Sequence, residues 1–484
     1  MKTIIFAMTL FLISAGVAFG QTETAKSPGS KIVESLTKEE ISLTIPRVGV
    51  DVDRVALDNG LVIYLYENHK LPLFNIQTLI RCGSVYDASE KDGLSDLVGT
   101  VMRTGGTKTI TGDSLSMLME YIGGNLEANI GGEKGTVSLS VLSKDADLGL
   151  KLFVDLLRNP AFPQDKLDLA KIDIKNNIKR RNDSPGSIVN RYFYNMLYGD
   201  YPSGRVLEWA SVKNITAQEL ADYHRRFFTP NNIMIGIYGD FSKTEILAKL
   251  RALLADWPQA ITALPAPPEV EFKYHPGVYQ IRKDLNQSSI MIGQLGIKRN
   301  NPDRYAVRLL NYILGGGSFT SRITSRVRSD EGLAYHASSN FNTDSRDYGV
   351  FDAECQTKSA STYTATSIIM EEINNIRNDG VTSEEFEGAR NAVINSSVFL
   401  FDTPGKIINR LMSLEFDGLP PDFYNDYLNE FRRITLADIK SVAQKYLKPN
   451  QMTFVIVGNP DAFEKPLDEF GPVTNIELTE PVTE

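Results

Sequence analysis

Short, mostly apolar runs near the start of the chain, separated by turn residues, predict antiparallel strands. Residues 54–57 and 61–65 flank Asp58-Asn59-Gly60, which is typical of a tight hairpin turn. The same pattern predicts a third strand over 73–81. Residues 125–130 and 136–142 alternate around a glycine-rich turn and predict a second hairpin.

Segments with apolar residues three to four positions apart predict helices around these strands. They cover 93–102, 114–122 and 164–181, and a further helix is expected to start at a capping Ser143 and to end at Arg158. The apolar run 233–238 predicts a closing strand. Adjacent hairpins pair in antiparallel fashion and the helices must cover one face of the sheet, so the predicted class is α+β.

The second half of the chain repeats the first half at a fixed offset. Asp183–Arg191 returns as Asp402–Arg410, and Gly239 returns as Gly458, each 219 residues later. A constant offset predicts two homologous units joined by a proline-rich linker. The predicted bounds are 47–256 for the first unit, 257–270 for the linker and 271–463 for the second unit. The acidic tail, 464–484, is expected to be loosely held.

The N-terminal residues have the features of a secretory signal peptide. Lys2 supplies a positive start, residues 4–13 an apolar stretch, and Ala18-Phe19-Gly20 a cleavage site. An uncleaved membrane anchor is the alternative, although the apolar run is shorter than the roughly 20 residues that a membrane span needs. We therefore expect residues 1–20 to be removed on export to the periplasm or the extracellular space, leaving 21–46 as an N-terminal extension.

Composition limits the partners and cofactors that the chain could bind. The formal net charge is −9, and no block of Lys and Arg argues for nucleic-acid binding. Cys82 and Cys355 are too few for a disulfide scaffold, and the sequence leaves open whether they pair. No two histidines are spaced to share one helix face as zinc ligands. The histidines are His69, His224, His275 and His336.

The segment Gly93–Met102, followed by Gly105-Gly106-Thr107, resembles the metal-binding helix of the pitrilysin/insulinase peptidase family. In active members this helix carries His-x-x-Glu-His, whose histidines hold zinc and whose glutamate activates the bound water. The matching positions here are Asp96, Gly99 and Thr100, and the family's third ligand, a glutamate, falls on Asn177. The resemblance therefore implies that this chain has no metal site.

The resemblance extends over nearly the whole chain after residue 46 and is closest to the zinc-less chains of the two-subunit, processing-peptidase-like branch. It implies two sheet-and-helix units and an arginine and a tyrosine in the second unit, which Arg328 and Tyr335 match. A guanidinium and a phenol are strong donors for the negative charge that builds on a peptide carbonyl under attack. In the structural alternative, Tyr335 opens a buried strand and Arg328 pairs with Glu331.

A glycine triplet, Gly315, Gly316 and Gly317, precedes this pair and resembles the glycine-rich loop that guides substrate in zinc-less processing subunits. Glycines allow an extended peptide to approach the backbone closely. The alternative is the end of a helix followed by a flexible turn.

The expected function is that of a zinc-less, non-catalytic subunit of an exported zinc metallopeptidase. Such a subunit would bind peptide or unfolded polypeptide, would have no activity alone, and would supply Arg328 and Tyr335 to the zinc site of a partner of the same family. A stand-alone peptide-binding or structural assembly protein is the alternative. No serine-hydrolase motif supports a hydrolase of another type.

Overall fold

The computed structural model describes residues 42–261, 264–344 and 346–482. The predicted signal peptide and most of the N-terminal extension lie outside the described residues. Within the described ranges, no helix combines the length and the apolar character that crossing a bilayer requires.

The first half of the molecule contains a six-stranded sheet in the order β1-β2-β6-β3-β5-β4. Its only parallel pair in the described residues is β2 with β6, and the predicted hairpins are the antiparallel pairs β1–β2 and β4–β5. The predicted closing strand lies inside the sheet, between β2 and β3. The strands are β1 (Asp53–Ala56), β2 (Val62–Glu67), β3 (Leu73–Ile80), β4 (Asn125–Ile130), β5 (Gly135–Leu142) and β6 (Ile233–Gly239).

Helices cover one face of this sheet and enclose the first hydrophobic core. Ser143 does not cap a helix as predicted, because residues 143–145 form a 3₁₀ turn and the helix begins at Ala146. The helices of the first half are α1 (Leu94–Gly105), α2 (Gly112–Tyr121), α3 (Ala146–Arg158), α4 (Gln164–Arg180), α5 (Pro185–Tyr198), α6 (Trp209–Val212), α7 (Ala217–Phe227) and α8 (Lys243–Leu254).

The second half contains another six-stranded sheet, in the order β12-β7-β11-β8-β10-β9, in which β7 pairs in parallel with β11 and β12. Its strands are β7 (Gly277–Arg282), β8 (Gln287–Leu295), β9 (Ala334–Phe341), β10 (Val350–Lys358), β11 (Thr453–Gly458) and β12 (Val473–Ile476). Its helices are α9 (Arg304–Asn311), α10 (Arg322–Thr324), α11 (Thr362–Asn378), α12 (Ser383–Ser396), α13 (Pro404–Phe416), α14 (Tyr427–Arg433) and α15 (Leu436–Tyr446). The predicted α+β class with two mostly antiparallel sheets is confirmed.

Each half contributes one helix to the sheet of the other half. Helix α5 packs on β8 and β11 through Ile188 and Phe193, whereas α13 packs on β2, β3 and β6 through Ile408 and Met412. Both helices begin alike, because a hydroxyl side chain caps the first turn and proline follows it. Pro185 and Pro404 stand at the same 219-residue offset as the sequence pattern.

The acidic tail is better ordered than its composition suggested. Val473–Ile476 forms the edge strand β12 on β7, and the carboxylate of Glu464 accepts hydrogen bonds from the backbone N–H groups of Tyr363 and Thr364. The expectation of a loosely held tail is therefore wrong for the described residues 464–482. Strand pairing supplies backbone partners that composition alone does not indicate.

Candidate functional site

Helix α1 carries three of the four positions at which the family resemblance places the metal machinery. Asp96 and Thr100 are exposed one turn apart, Gly99 is buried between them, and Asn177 is exposed on α4, which packs against α1. Surrounding protein atoms partly desolvate the Asp96 carboxyl and raise its pKa. One carboxyl with hydroxyl and amide neighbours differs sharply from the nitrogen-rich ligand set that zinc prefers.

Gly99, at the position that the resemblance assigns to the general base, has little room for a side chain. A Cβ atom at this residue would lie 2.9 Å from the backbone nitrogen of Ile130, in the edge strand β4. Helix α1 and β4 are in direct contact there, so any larger side chain would have to push the strand away from the helix. The close packing of α1 on β4 thus depends on the absence of a side chain at residue 99.

Three of the four histidines contact different groups in separate parts of the fold. The His69 ring contacts Glu67 and Asp240, and the His336 ring lies 2.9 Å from Glu354. His224 is buried with its Nε2 2.9 Å from the carbonyl of Leu157, and burial lowers its pKa to about 4. Within the described residues, no group of three or more His, Cys, Asp or Glu side chains could hold a metal ion.

Both cysteines are free and buried, one in each half. Burial raises the pKa of the Cys82 and Cys355 thiols to about 12 in each case. A buried thiol with a raised pKa is a poor nucleophile, so neither cysteine indicates thiol chemistry.

The structure brings Arg328 and Tyr335 together. Arg328 lies in a π-helical segment, Ser325–Asp330, and Tyr335 is the second residue of the edge strand β9. The Arg328 Cζ atom lies 4.8 Å from the centroid of the Tyr335 ring and 4.5 Å from that of Phe319. Two aromatic faces therefore orient the guanidinium, since the ring quadrupole attracts a cation.

The environment of the pair differs from the structural alternative. The Tyr335 side chain is 85% exposed and does not belong to the core. Among the described residues, Arg328 makes no ion pair with Glu331 or with any other carboxylate. The Tyr335 side chain is therefore open to solvent beside a guanidinium that contacts aromatic rings rather than a carboxylate among the described residues.

The glycine triplet ends α9 in a π-helical turn, Tyr312–Gly316, rather than in a flexible loop. A Cβ atom at Gly315 would lie 2.4 Å from the backbone nitrogen of Ser339 in β9, and one at Gly317 would lie 2.5 Å from the carbonyl oxygen of Tyr312. Close packing therefore explains why residues 315 and 317 are glycines. The turn that follows places Phe319 against Arg328, so the glycine-rich segment and the Arg328–Tyr335 pair are neighbours.

Sequence patterns gave no indication of a crevice of about 740 Å³ between the two halves. Its walls come from distant segments, including Arg81 and Glu133 of the first half, Pro267 of the linker and Phe416 of the second half. Arg346 joins these parts, because its guanidinium donates to the Glu133 carboxylate, to the Tyr201 hydroxyl and to the carbonyl of Pro268. No local motif could reveal this arrangement, since each segment contributes only a few residues.

Two family models match the chain in succession. Residues 62–210 match the insulinase family, peptidase family M16, and residues 214–393 match the model described as the peptidase M16 inactive domain. The first match contains Asp96, Gly99, Thr100 and Asn177, and the second contains Arg328 and Tyr335.

Relatives and solved structures agree with these matches. A non-peptidase homolog, YmxG, of Helicobacter pylori is 24% identical over 82% of this chain and 91% of its own length. A Rickettsia felis protein described as an uncharacterized zinc protease is 29% identical over 61% of this chain and 71% of its own length.

The crystal structure described as a peptidase M16 inactive domain from Pseudomonas fluorescens has a TM-score of 0.77 at 24% identity, covering 85% of this chain and 98% of that one. The structure of a protease from Helicobacter pylori has a TM-score of 0.75 at 17% identity, covering 84% of this chain and 99% of that one. At these identities the two structures establish the fold, and together with the family models they lead to one conclusion: the chain belongs to peptidase family M16, the insulinase family.

Proposed function

We propose that this chain is the zinc-less subunit of an exported, two-chain M16 metallopeptidase. It binds peptide and contributes Arg328 and Tyr335 to the zinc site of a partner that carries His-x-x-Glu-His. The observation that carries the proposal is the contrast between α1, where Gly99 packs directly on β4, and the exposed Arg328–Tyr335 pair.

The geometry of the pair suits a donor role in another chain's active site. A zinc-bound water that attacks a peptide carbonyl creates an oxyanion, which positioned donors stabilise in the transition state. The Tyr335 hydroxyl and the Arg328 guanidinium supply such donors, and Phe319 limits the positions that the guanidinium can take. A pre-oriented donor loses less conformational freedom when substrate arrives.

Peptide binding has support in the crevice between the halves. A volume of about 740 Å³ can hold a short peptide segment, and charged side chains, among them Arg81 and Lys134, line its walls. This crevice exists in one chain without a partner. The binding role can therefore be measured separately from any contribution to catalysis.

The test is reconstitution of the chain with a zinc-bearing M16 chain of the same genome. Tyr335→Phe removes only the hydroxyl, and we expect turnover of a fluorogenic peptide to fall by about 10²–10³, as for the loss of one oxyanion donor. The matched control is Tyr121→Phe on α2, because Tyr121 is 88% exposed and lies far from the pair in sequence. The control should leave turnover unchanged, and light scattering should show the same assembly for both variants.

Metal analysis and assembly complete the test. The chain alone should retain no stoichiometric zinc after dialysis and should cleave no peptide, whereas the two-chain complex should contain one zinc. Unchanged turnover in Tyr335→Phe and in Arg328→Gln would reject the donor role. If no zinc-bearing chain associates with this one although it still binds peptide, the stand-alone binding or assembly function would replace the proposal.

A further inference from the structure

A second cavity, of about 230 Å³, lies within the second half and is lined by residues of α9 and α13 together with Tyr427 of α14. We call it the arginine cavity, because four arginines line it together with a group of aromatic side chains. The arginines are Arg299, Arg304, Arg308 and Arg410, and the aromatic residues are Tyr305, Phe423, Tyr424 and Tyr427.

Within the part of the chain that the structure describes, only one of these arginines has a carboxylate partner. Arg299 pairs with Asp417 at 2.8 Å. Across the described ranges, Arg304, Arg308 and Arg410 take part in no ion pair. An arginine in a cavity without a counter-ion repels its neighbours and raises the affinity of the cavity for an anion.

Neutral groups nevertheless hold two of these arginines, Arg304 and Arg410, in place. The Arg304 guanidinium donates to the Arg299 carbonyl at 2.8 Å and lies 4.5 Å from the centroid of the Phe423 ring. The Arg410 Nε atom donates to the Leu400 carbonyl at 2.6 Å. These contacts orient the Arg304 and Arg410 side chains without neutralising their charge. Fixed guanidinium groups lose little further freedom when a ligand binds.

The charge of the cavity is opposite to that of the chain. Its lining has four arginines against two carboxylates, Asp344 and Asp417, in a protein whose formal net charge is −9. A local excess of positive charge in an acidic protein attracts anions to one place on its surface. Tyrosine hydroxyls and ring faces beside the arginines favour an anion attached to an apolar or aromatic group.

We propose that the arginine cavity binds the C-terminal carboxylate of a peptide that lies in the crevice between the halves. Arg299, Asp344 and Asp417 line both spaces, so a peptide in the crevice can place its end in the cavity. The guanidinium fork matches the two oxygens of a carboxylate, which is the anion that every free peptide end carries. This inference rests on the peptide binding in the proposed function and adds the substrate class: peptides with a free C-terminus.

The experiment compares one peptide with a free carboxylate and the same peptide as a C-terminal amide, by calorimetry on the full chain without a partner. The free acid should bind at least about tenfold more tightly than the amide, since a charge-assisted contact is roughly twice as strong as a neutral one. Arg308→Gln should abolish this difference. Arg308 is solvent-exposed and makes no ion pair with any described residue, so the substitution should not affect folding.

Two controls define what is being recognised. Arg225→Gln on α7 removes an exposed arginine that pairs with Asp222, outside the cavity, and should keep the preference for the free acid. Arg308→Lys should restore part of the preference, because it restores charge without the fork. Equal affinities of wild type for acid and amide would overturn the inference, as would inorganic phosphate displacing the free acid at equal concentration, which would indicate a general anion site.

A smaller probe separates this inference from the proposed function. N-acetylphenylalanine is too short to span the crevice and the cavity together. If the inference is correct, it raises the melting temperature of wild type but not of Arg308→Gln, and N-acetylphenylalanine amide raises neither. This result would support the carboxylate site even if no longer peptide occupied the crevice. A long peptide that binds with no preference for its free acid would keep the proposed function and remove the cavity from it.

Discussion

Helices α5 and α13 each pack on the sheet of the opposite half, but the polar contacts at their C-terminal ends differ. At the end of α13, the Glu415 carboxylate accepts two hydrogen bonds from Arg54, each of 2.6 Å, and one from the Tyr64 hydroxyl. At the end of α5, the Tyr198 hydroxyl donates to the carbonyl of Tyr348, and its ring packs beside Tyr194 and Tyr201. One junction is ionic and the other is aromatic and neutral.

The difference shows which part of the exchange the fold requires. Both helices bury an apolar face on the opposite sheet, and burial of apolar area is the dominant favourable term in such packing. The polar contacts at the helix ends only have to satisfy groups that packing has removed from water. They can therefore be ionic at one junction and neutral at the other, and the two junctions should respond differently to salt and to pH.

The largest expected effect comes from a methyl group placed under an exchanged helix. A Cβ atom at Gly293 in β8 would lie 2.0 Å from the carbonyl oxygen of Phe351, which the sheet holds in place. At Gly236 in β6 it would meet side-chain rather than backbone atoms, those of Ile408 and Met412 on α13. Overpacking costs about 1–3 kcal/mol or more, and we expect Gly293→Ala near the upper end and Gly236→Ala near the lower end.

Urea denaturation of the two variants measures this difference, and Gly388→Ala is the control. Gly388 lies within α12 with no heavy atom within 4 Å of its Cβ position, so the substitution should be neutral or stabilising. A greater loss for Gly236→Ala would mean that α13 packs more rigidly than the sheet that it covers.

The junctions themselves should respond unequally to substitution. Glu415→Gln removes the charge that Arg54 and Tyr64 share, and we expect a loss of about 2 kcal/mol, reduced from the value for a fully buried pair because about a third of each charged side chain is exposed. Tyr198→Phe removes one neutral hydrogen bond and should cost about 1 kcal/mol. Added salt of about 1 M should shrink the first effect and leave the second unchanged.

The Glu415 junction should also weaken in acid. The hydrogen bonds from Arg54 hold the pKa of Glu415 below its usual range. A carboxyl with a depressed pKa in the folded state contributes stability above its unfolded pKa and loses it as the pH falls through the folded value. The stability difference between wild type and Glu415→Gln, measured from pH 7 down to pH 3, should therefore shrink with acidification. A difference that stays constant would contradict the ionic description of this junction.

The smallest expected effect concerns one buried carboxyl in each half. Burial raises the pKa of both Asp87 and Asp352 to about 6. Below its unfolded pKa, near 4, such a carboxyl is protonated in both states, and as the pH rises through about 6 the folded state bears the cost of a buried charge. Asp352→Asn should thus stabilise the protein by about 1 kcal/mol at pH 7.5 and by almost nothing at pH 4.

Substitution of Asp87 should not stabilise the protein as substitution of Asp352 does, because the Asp87 carboxylate caps a helix. Gly93 cannot cap α1 with a side chain, and the Asp87 carboxylate accepts hydrogen bonds from the backbone N–H and the hydroxyl of Ser95 instead. A negative charge is favourable at a helix N-terminus. In Asp87→Asn, the stability lost with that charge should therefore about equal the stability gained by removing a buried carboxylate. Melting temperatures of both variants at pH 4 and pH 7.5 test this contrast, and equal stabilisation by the two substitutions would contradict it.

Local sequence patterns predicted most elements of the fold. The strands around Asn59-Gly60 and around 131–135 formed as hairpins, and α1 and α4 formed close to their predicted bounds, because hydrophobic period and turn residues act over a few positions. Ser143 misled the prediction, since a capping side chain is only a preference and the 3₁₀ turn satisfied the backbone in another way. The order of the tail depended on β7, which lies far from it in sequence.

The sequence by itself indicated the α+β class. It also predicted a 219-residue repeat and, through the family resemblance, a metal site without its ligands at Asp96, Gly99, Thr100 and Asn177. Those features follow from the residue types at single positions and from the short-range spacing of apolar residues. Only the tertiary structure decided that α5 and α13 exchange sheets, that Arg328 lies between Phe319 and Tyr335, and that unpaired arginines meet beside the crevice. These features depend on contacts between residues that are distant in sequence. Packing of the whole chain sets the geometry of such contacts, so no local sequence pattern predicts it.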